Sequence, residues 1–225
     1  MEKKIMENDL WFLKKVSIFS ELNENVLQLI SKKSRTLKFR KGAILMSEGE
    51  TGESLYLISS GKVKIFVSDE NGNEMTLFVE GPGSYIGEIS LLDGSPRTAS
   101  AITLEKTEVL SISKKDFTDV ITVHPEIALN IISALTQKLR RATDSISSLA
   151  LKNVYQRLVL KLLELSDEEN GSKVISTRYS HLELGKMIGA SREMVGKVMA
   201  ELTRGGYVEQ RGKELVLLKD FPHDW

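Results

Sequence analysis

The sequence predicts an α+β chain in three successive parts: a strand-rich first half, one long helix, and a helix-turn-helix followed by a hairpin. Three observations predict it. Between residues 35 and 113, short apolar–polar alternations such as ESLYLISSG, KVKIFVSD, MTLFVEG and EVLSIS are punctuated by glycines. That is the mark of many short antiparallel strands closed into a roll or sandwich. After Pro125 an apolar stripe recurs in alternating steps of four and three, the spacing of a heptad seam. Between His181 and Leu218 two helical patterns flank IGAS and lead into YVEQRGKELVLL.

Taken in order, residues 8–33 have apolar spacing near 3.6, with Asn23 or Asn25 placed to cap a helix. In the strand-rich region, Asn71-Gly72 between two alternating runs is a hairpin signal, because both residues tolerate the left-handed conformation of a tight turn. Pro125-Glu126 opens the long helix, since proline fits a first helical turn. Its stripe runs Ala128, Ile132, Leu135, Leu139, Ala142, Ile146 and Leu149, while Lys138, Arg140, Arg141 and Asp144 mark the opposite, solvated face. A narrow stripe on a helix of roughly 40 Å predicts a seam with a second copy, a homodimer; the alternative is a helix packed on its own domain. QRLVLKLLELS is a further amphipathic helix and DEENGSK an acidic loop. Ser191 caps the helix that begins SREMVGK, Gly205-Gly206 end it, and Arg211-Gly212-Lys213 turn the final hairpin. The expected boundaries are 1–124, 125–153 and 154–225.

Composition excludes several chemistries. The chain has 225 residues with equal numbers, 31 each, of basic and acidic side chains. A purely electrostatic DNA binder would be basic, so any DNA binding must come from a local surface. There is no cysteine, and only His124, His181 and His223 could ligate through imidazole. Thiolate metal sites, iron–sulfur clusters and cysteine nucleophiles are therefore out, and no metal site is expected. The first residues carry Lys3 and Lys4, but Glu7, Asp9, Lys14 and Lys15 interrupt any apolar run, against a signal peptide, and no segment approaches a membrane span. The expected location is the cytoplasm. No nucleophile–base pair or nucleotide-hydrolysing loop is visible, so no enzyme and no catalytic residue is expected.

Two constellations carry chemistry. A helix, a glycine turn, a second helix and a hairpin make a winged helix-turn-helix, whose second helix meets base edges in the major groove of double-stranded DNA. Arg192 can fork onto guanine, Glu193 can accept from cytosine N4, and Lys197 lies one turn on. Ser191 can bind phosphate, and Met194 can touch a thymine methyl. Residues 178–213 hold seven Lys/Arg against four Asp/Glu, so this portion is mildly basic. The alternative is a solvated helix start, with Glu193 favoured by the helix dipole. The other constellation is GEISLLDGSPRTA. A short helical turn after Gly87 and the guanidinium of Arg97 suit an anion, whereas the carboxylate of Glu88 suits a hydroxyl. Together they fit a ligand with both sugar and phosphate. A plain Glu88–Arg97 salt bridge or a surface loop is the alternative.

In this order, the roll, GEISLLDGSPRTA, the long helix and GASREMVGKVMAEL resemble the catabolite activator/FNR superfamily of bacterial transcription regulators over about residues 12–220. The resemblance implies a cyclic-nucleotide-binding-like roll as sensor, a dimerisation helix and a DNA-binding winged helix. It implies that Gly87, Glu88, Ile89, Ser90, Arg97 and Thr98 line a pocket for cAMP or another cyclic nucleotide. Glu88 would then take the ribose hydroxyl, with Arg97 and Thr98 on the cyclic phosphate. It also implies a palindromic GTGA-like target and RNA polymerase as a partner. Arg35, Lys38, Arg40 and Lys41 form a basic cluster that would suit such a contact or simply a solvated strand edge. Two departures stand out. Where cAMP-responsive members put a Thr-Ser pair against the adenine, this chain has Ala142-Thr143, so Thr143 alone keeps a hydroxyl. The reading helix has Met194 and Lys197 where the family has Thr and Arg. Other readings are a member answering to a different small ligand or none, and a cyclic-nucleotide module without DNA binding. The SREMVGK helix weighs against the latter.

Overall fold

The computed structural model describes residues 10–169 and 172–222. Lys3, Lys4, Glu7 and Asp9, the first residues of the expected 8–33 helix, the Asn170-Gly171 step and His223 lie outside the described residues. The chain groups into two compact units, Met1–Asp69 with Leu77–Arg140, and Glu70–Thr76 with Arg141–Trp225.

The first unit opens with a helical turn, α1 (10–13), and a 3-10 turn at Ser17–Phe19 before α2 (Glu24–Lys33). The expected single helix is thus broken. Asn23 rather than Asn25 is the cap, its side chain accepting from the Val26 amide at 3.2 Å. Eight strands follow as two four-stranded antiparallel sheets. One has the order β1-β8-β3-β6, built from β1 (Ser34–Phe39), β3 (Ser54–Ser60), β6 (Tyr85–Ile86) and β8 (Thr107–Ser113). The other has the order β2-β7-β4-β5, from β2 (Ile44–Met46), β4 (Val63–Ser68), β5 (Glu74–Glu80) and β7 (Ser100–Thr103). The Asn71-Gly72 turn joins β4 to β5, and Gly72 takes a φ of +78°.

Strand periodicity sorts the core. On β3, Leu55 and Leu57 face one way and Ile58 the other; on β8, Leu110 and Ile112 face opposite to Val109. The first set packs with Phe19, Leu27, Ile30, Phe117 of α4 (Lys114–Val123) and Ile127 and Ile131 of α5 (Pro125–Leu151). The second set packs on Val63, Ile65 and Ala101 of the other sheet. Short of β7, α3 (Glu88–Asp93) makes the small helix expected after Gly87. Gly87 and Gly94 bound it at φ +88° and +76°, conformations that L side chains rarely adopt.

The second unit has its own core, centred on Leu158, Leu162, Leu184, Val195, Leu202 and Val208. It is built from α6 (Val154–Leu165), α7 (His181–Ile188), α8 (Arg192–Arg204) and the sheet β11-β12-β10-β9. Strands β11 (Val208–Arg211) and β12 (Glu214–Leu217) are the expected final hairpin. The expected acidic loop is a correction: β9 (Asp167–Glu169) and β10 (Ser172–Ile175) pair antiparallel there. The residues between them are Asn-Gly, the same hairpin dipeptide as at 71–72.

Candidate functional site

Arg97 is a buried, hydrogen-bonded polar side chain of the first unit. Only 5% of it is exposed. It donates from Nη1 to Gly87 O and from Nη2 to Ser54 O, both at 2.6 Å. Its own backbone is pinned on the 49–50 turn, with Arg97 N to Glu50 O at 2.8 Å and Gly49 N to Arg97 O at 2.9 Å. Two of five guanidinium N–H groups are thereby used, leaving three without a bond among the described residues. Burial pulls the guanidinium below its ordinary pKa, against the opposing charges of Tyr56, Glu88, Glu50 and Glu53. Among the described residues Arg97 bonds to carbonyls, not to a carboxylate. The Glu88–Arg97 salt bridge considered above does not form.

Gly52, unremarked in the sequence, makes this packing possible. A Cβ there would lie 2.5 Å from Ser90 Cβ and 3.3 Å from Arg97 Cζ. A Cβ at Gly87 would collide with Arg97 Nη1. Ser90 is 2% exposed and donates to Pro96 O at 3.2 Å, closing the loop that carries Arg97. Gly87, Glu88, Ser90 and Arg97 are thus brought together, whereas Ile89 and Thr98 are exposed.

Glu88 is 4% exposed, and its partner was not foreseen. Lys138 Nζ of α5 donates to Glu88 Oε1 at 2.8 Å. This corrects the placing of Lys138 on the solvated face of the long helix. Ile127, Ile131, Ala134 and Lys138 fall on one face at steps of four, three and four, so the turn inward was legible from spacing. Lys138 Nζ also stands 3.4 Å from Tyr85 O and 4.5 Å from the centroid of the Tyr85 ring. The Tyr85 phenol is buried without a hydrogen-bond partner among the described residues, and burial pushes its pKa up, helped by Glu88 and Glu80.

The stripe on α5 divides. Ile132, Leu139 and Ile146 are 60%, 68% and 67% exposed. Leu135 instead leans on the core of its own unit. Ala142 is half-buried and Leu149 is at the edge of exposure. Thr143 is exposed and falls in the second unit.

In the second unit a glycine again sets the geometry. Gly189 caps α7 at φ +63°, and a Cβ at Gly185 would meet Ala190 O at 2.5 Å. The tight turn therefore needs both. Ser191 caps α8 by accepting from the Met194 amide at 3.2 Å. Arg192, Glu193, Met194 and Lys197 are exposed along the start of α8. The Glu193 carboxylate is held below its ordinary pKa by its own backbone amide and by the Ser191 hydroxyl. His181 of α7 lies against α8 at Gly196, whose missing Cβ would stand 3.3 Å from Nδ1.

Residues 36–124 match the family model of the cyclic nucleotide-binding domain, and residues 156–223 that of the Crp-like helix-turn-helix domain. The chain is 30% identical over 209 residues to the CRP-like cAMP-activated global transcriptional regulator of Mycobacterium tuberculosis, covering 91% of this chain and 93% of that protein. This chain belongs to the CRP/FNR superfamily of transcription regulators. It is 35% identical over 170 residues to the cyclic AMP receptor protein of Thermus thermophilus, covering 76% and 77% of the two chains. Among solved structures, the c-di-GMP responsive global regulator CLP of Xanthomonas campestris superposes with a TM-score of 0.77 at 26% identity, covering 88% of this chain and all of that one. The chain is accordingly a regulator and not an enzyme, with a cyclic nucleotide-binding domain and a DNA-binding helix-turn-helix domain.

Proposed function

We propose that the chain is a homodimeric, cyclic-nucleotide-gated regulator that binds an inverted repeat of GTGA-like half-sites. The boundaries of its working parts are 1–124, 125–153 and 154–225. One observation carries the ligand reading: Arg97 is a buried cation braced by two carbonyls, with donors to spare and no carboxylate partner. A cyclic phosphate supplies the missing anion. Glu88, buried on the same short loop, accepts a ribose hydroxyl. Gly87 and Ser90 shape the wall, and Ile89 and Thr98 close the rim. The relatives described as cAMP-activated favour cAMP.

A specific observation favours a second ligand. The position beside Thr143 is Ala142, and the similar Xanthomonas regulator is described as responsive to c-di-GMP. Calorimetric titration of the purified protein with cAMP, cGMP and c-di-GMP distinguishes them. Saturable binding of cAMP supports the reading; binding of c-di-GMP alone replaces the ligand; no binding of any overturns gating by a cyclic nucleotide.

Ile132, Leu139 and Ile146 support the dimer, because a soluble helix does not ordinarily leave such a stripe to water. Leu135, Ala142 and Leu149 complete the seam from its edges. Two copies of α8 then address two half-sites roughly 34–36 Å apart, the docking established for helix-turn-helix dimers, the catabolite activator among them. Arg192 takes guanine, Glu193 takes cytosine, Lys197 and Met194 add contacts one turn along, and Ser191 holds phosphate. The regulator works in the cytoplasm, with RNA polymerase as its downstream partner.

A further inference from the structure

The last hairpin of the second unit carries a cation whose charge is already engaged. Strand β11 is an edge strand of its sheet, and its turn to β12 is bracketed by Arg211 and Lys213 around Gly212 at φ +63°. Gln210 fixes that turn, donating from Nε2 to Gly212 O at 3.1 Å and to Glu214 O at 2.9 Å. Gln210 and Lys213 line one small cavity with Arg178, with His181 of α7 and with Met199 of α8. His181 in turn lies against Gly196, the chain neighbour of Lys197. The hairpin tip thus stands beside the helix pair of the DNA-binding domain, with basic side chains of its own.

Glu209 occupies Arg211. It lies two residues back, on the same face of the strand. Its Oε2 accepts from Arg211 Nε at 2.8 Å and stands 2.6 Å from Nη2. Arg211 bonds to Glu209 and not to Glu214, its partner in the strand register. The two paired side chains are 58% and 48% exposed. An ion pair so open to water is weak, and it lasts only until a stronger anion arrives. A DNA phosphate is such an anion: it accepts from the same guanidinium and comes with the field of its neighbours. While the pair persists, the carboxylate cancels the charge of Arg211.

We propose that Glu209 restrains the hairpin's grip on the DNA backbone: it masks Arg211, so that a phosphate must displace a carboxylate before the guanidinium contributes. The restraint keeps the sequence-independent share of DNA binding small and leaves more of the complex to the base contacts of α8. Glu209 is then a tuning residue and touches no DNA itself. The proposal rests on DNA binding by the helix-turn-helix domain, and needs neither a bound ligand nor a known target sequence.

The test measures, by fluorescence anisotropy across a series of salt concentrations, binding of the full chain to a duplex without GTGA motifs. Glu209→Gln keeps the side chain's shape and removes its charge. It should bind about two- to fivefold tighter, the range set by an exposed ion pair. The plot of log affinity against log salt should steepen by up to about one, the value of one added phosphate contact. Removing any carboxylate near DNA relieves repulsion, so two further variants separate masking from net charge. Glu214→Gln removes equal charge from across the hairpin without freeing Arg211, and should gain clearly less. In an Arg211→Gln background, Glu209→Gln should lose most of its gain. Thermal melts should match wild type throughout, since every replaced side chain is exposed. An equal gain with Arg or Gln at 211, or an equal gain in Glu214→Gln, reduces the effect to net charge and overturns the proposal. No gain in a folded Glu209→Gln also overturns it, because Arg211 then meets no phosphate. Failure of the wild type to bind any duplex at low salt is a separate outcome, and it removes the DNA reading along with the proposal.

Discussion

Two arginines show how differently the two units are prepared for their partners. Arg97 is buried, bonded to two carbonyls and packed on glycines that leave no room for a Cβ. Arg192 is exposed at the first turn of α8. A small ligand contributes few atoms, so its site must be assembled beforehand to avoid ordering costs. A duplex brings a dense row of phosphates and base edges, so the protein can leave its reading side chains in water until they meet it. Replacing Arg97 should therefore disturb the fold and ligand binding together, whereas replacing Arg192 should disturb recognition alone.

Arg97→Leu is the strongest way to break that contrast. It strands Gly87 O and Ser54 O, and each lost bond to a charged group is worth about 1.5–3 kcal/mol. The sensor should lose several kcal/mol of stability, and cAMP affinity should fall at least about tenfold. From the sequence alone this variant would be expected to keep its fold, and the carbonyl bonds change that expectation. A melt unchanged from wild type would mean the two bonds are idle. Gly52→Ala comes next. Its Cβ would press on Ser90 and Arg97, and overpacking of this kind costs about 1–3 kcal/mol. Urea unfolding measures it, and ligand affinity should fall with stability.

On α8 the main expected effects are on DNA. Arg192→Ala should cost about 1–3 kcal/mol at one base pair and relax selectivity there, with no change in melting temperature. Glu193→Ala should lower selectivity while nonspecific affinity holds or rises, because a negative charge near phosphate is removed. Binding-site selection with both variants checks this. If Glu193→Ala recovers the wild-type half-site with equal information at every position, Glu193 reads no base. The smallest effect is a pH one. The Glu193 carboxylate is held below its ordinary pKa by its own amide and by Ser191. Its contribution to the helix start is therefore present at neutral pH and lost as pH falls through that lowered value. The difference in melting temperature between wild type and Glu193→Gln should be visible at pH 7 and vanish in acid.

The sequence by itself determined what local rules govern. Asn71-Gly72 marks its hairpin because that turn needs left-handed backbone, and Ser191 marks the start of α8 because a hydroxyl there satisfies an otherwise free amide. The β9–β10 pairing is different, because the acidic composition of DEENGSK points to a loop where two strands in fact pair. The membership of Gly87, Glu88 and Arg97 in one short loop was equally legible, since ten residues hold them together whatever the rest of the chain does. What only the tertiary structure decided are the partners that come from far along the chain. Arg97 meets Ser54 across 43 residues, and Glu88 meets Lys138 across 50. Amphipathic spacing says which face of a helix turns inward, but not what it will meet. A lysine on that face is a liability until a buried carboxylate is found for it, and only packing α5 beside the β6–α3 loop supplies one.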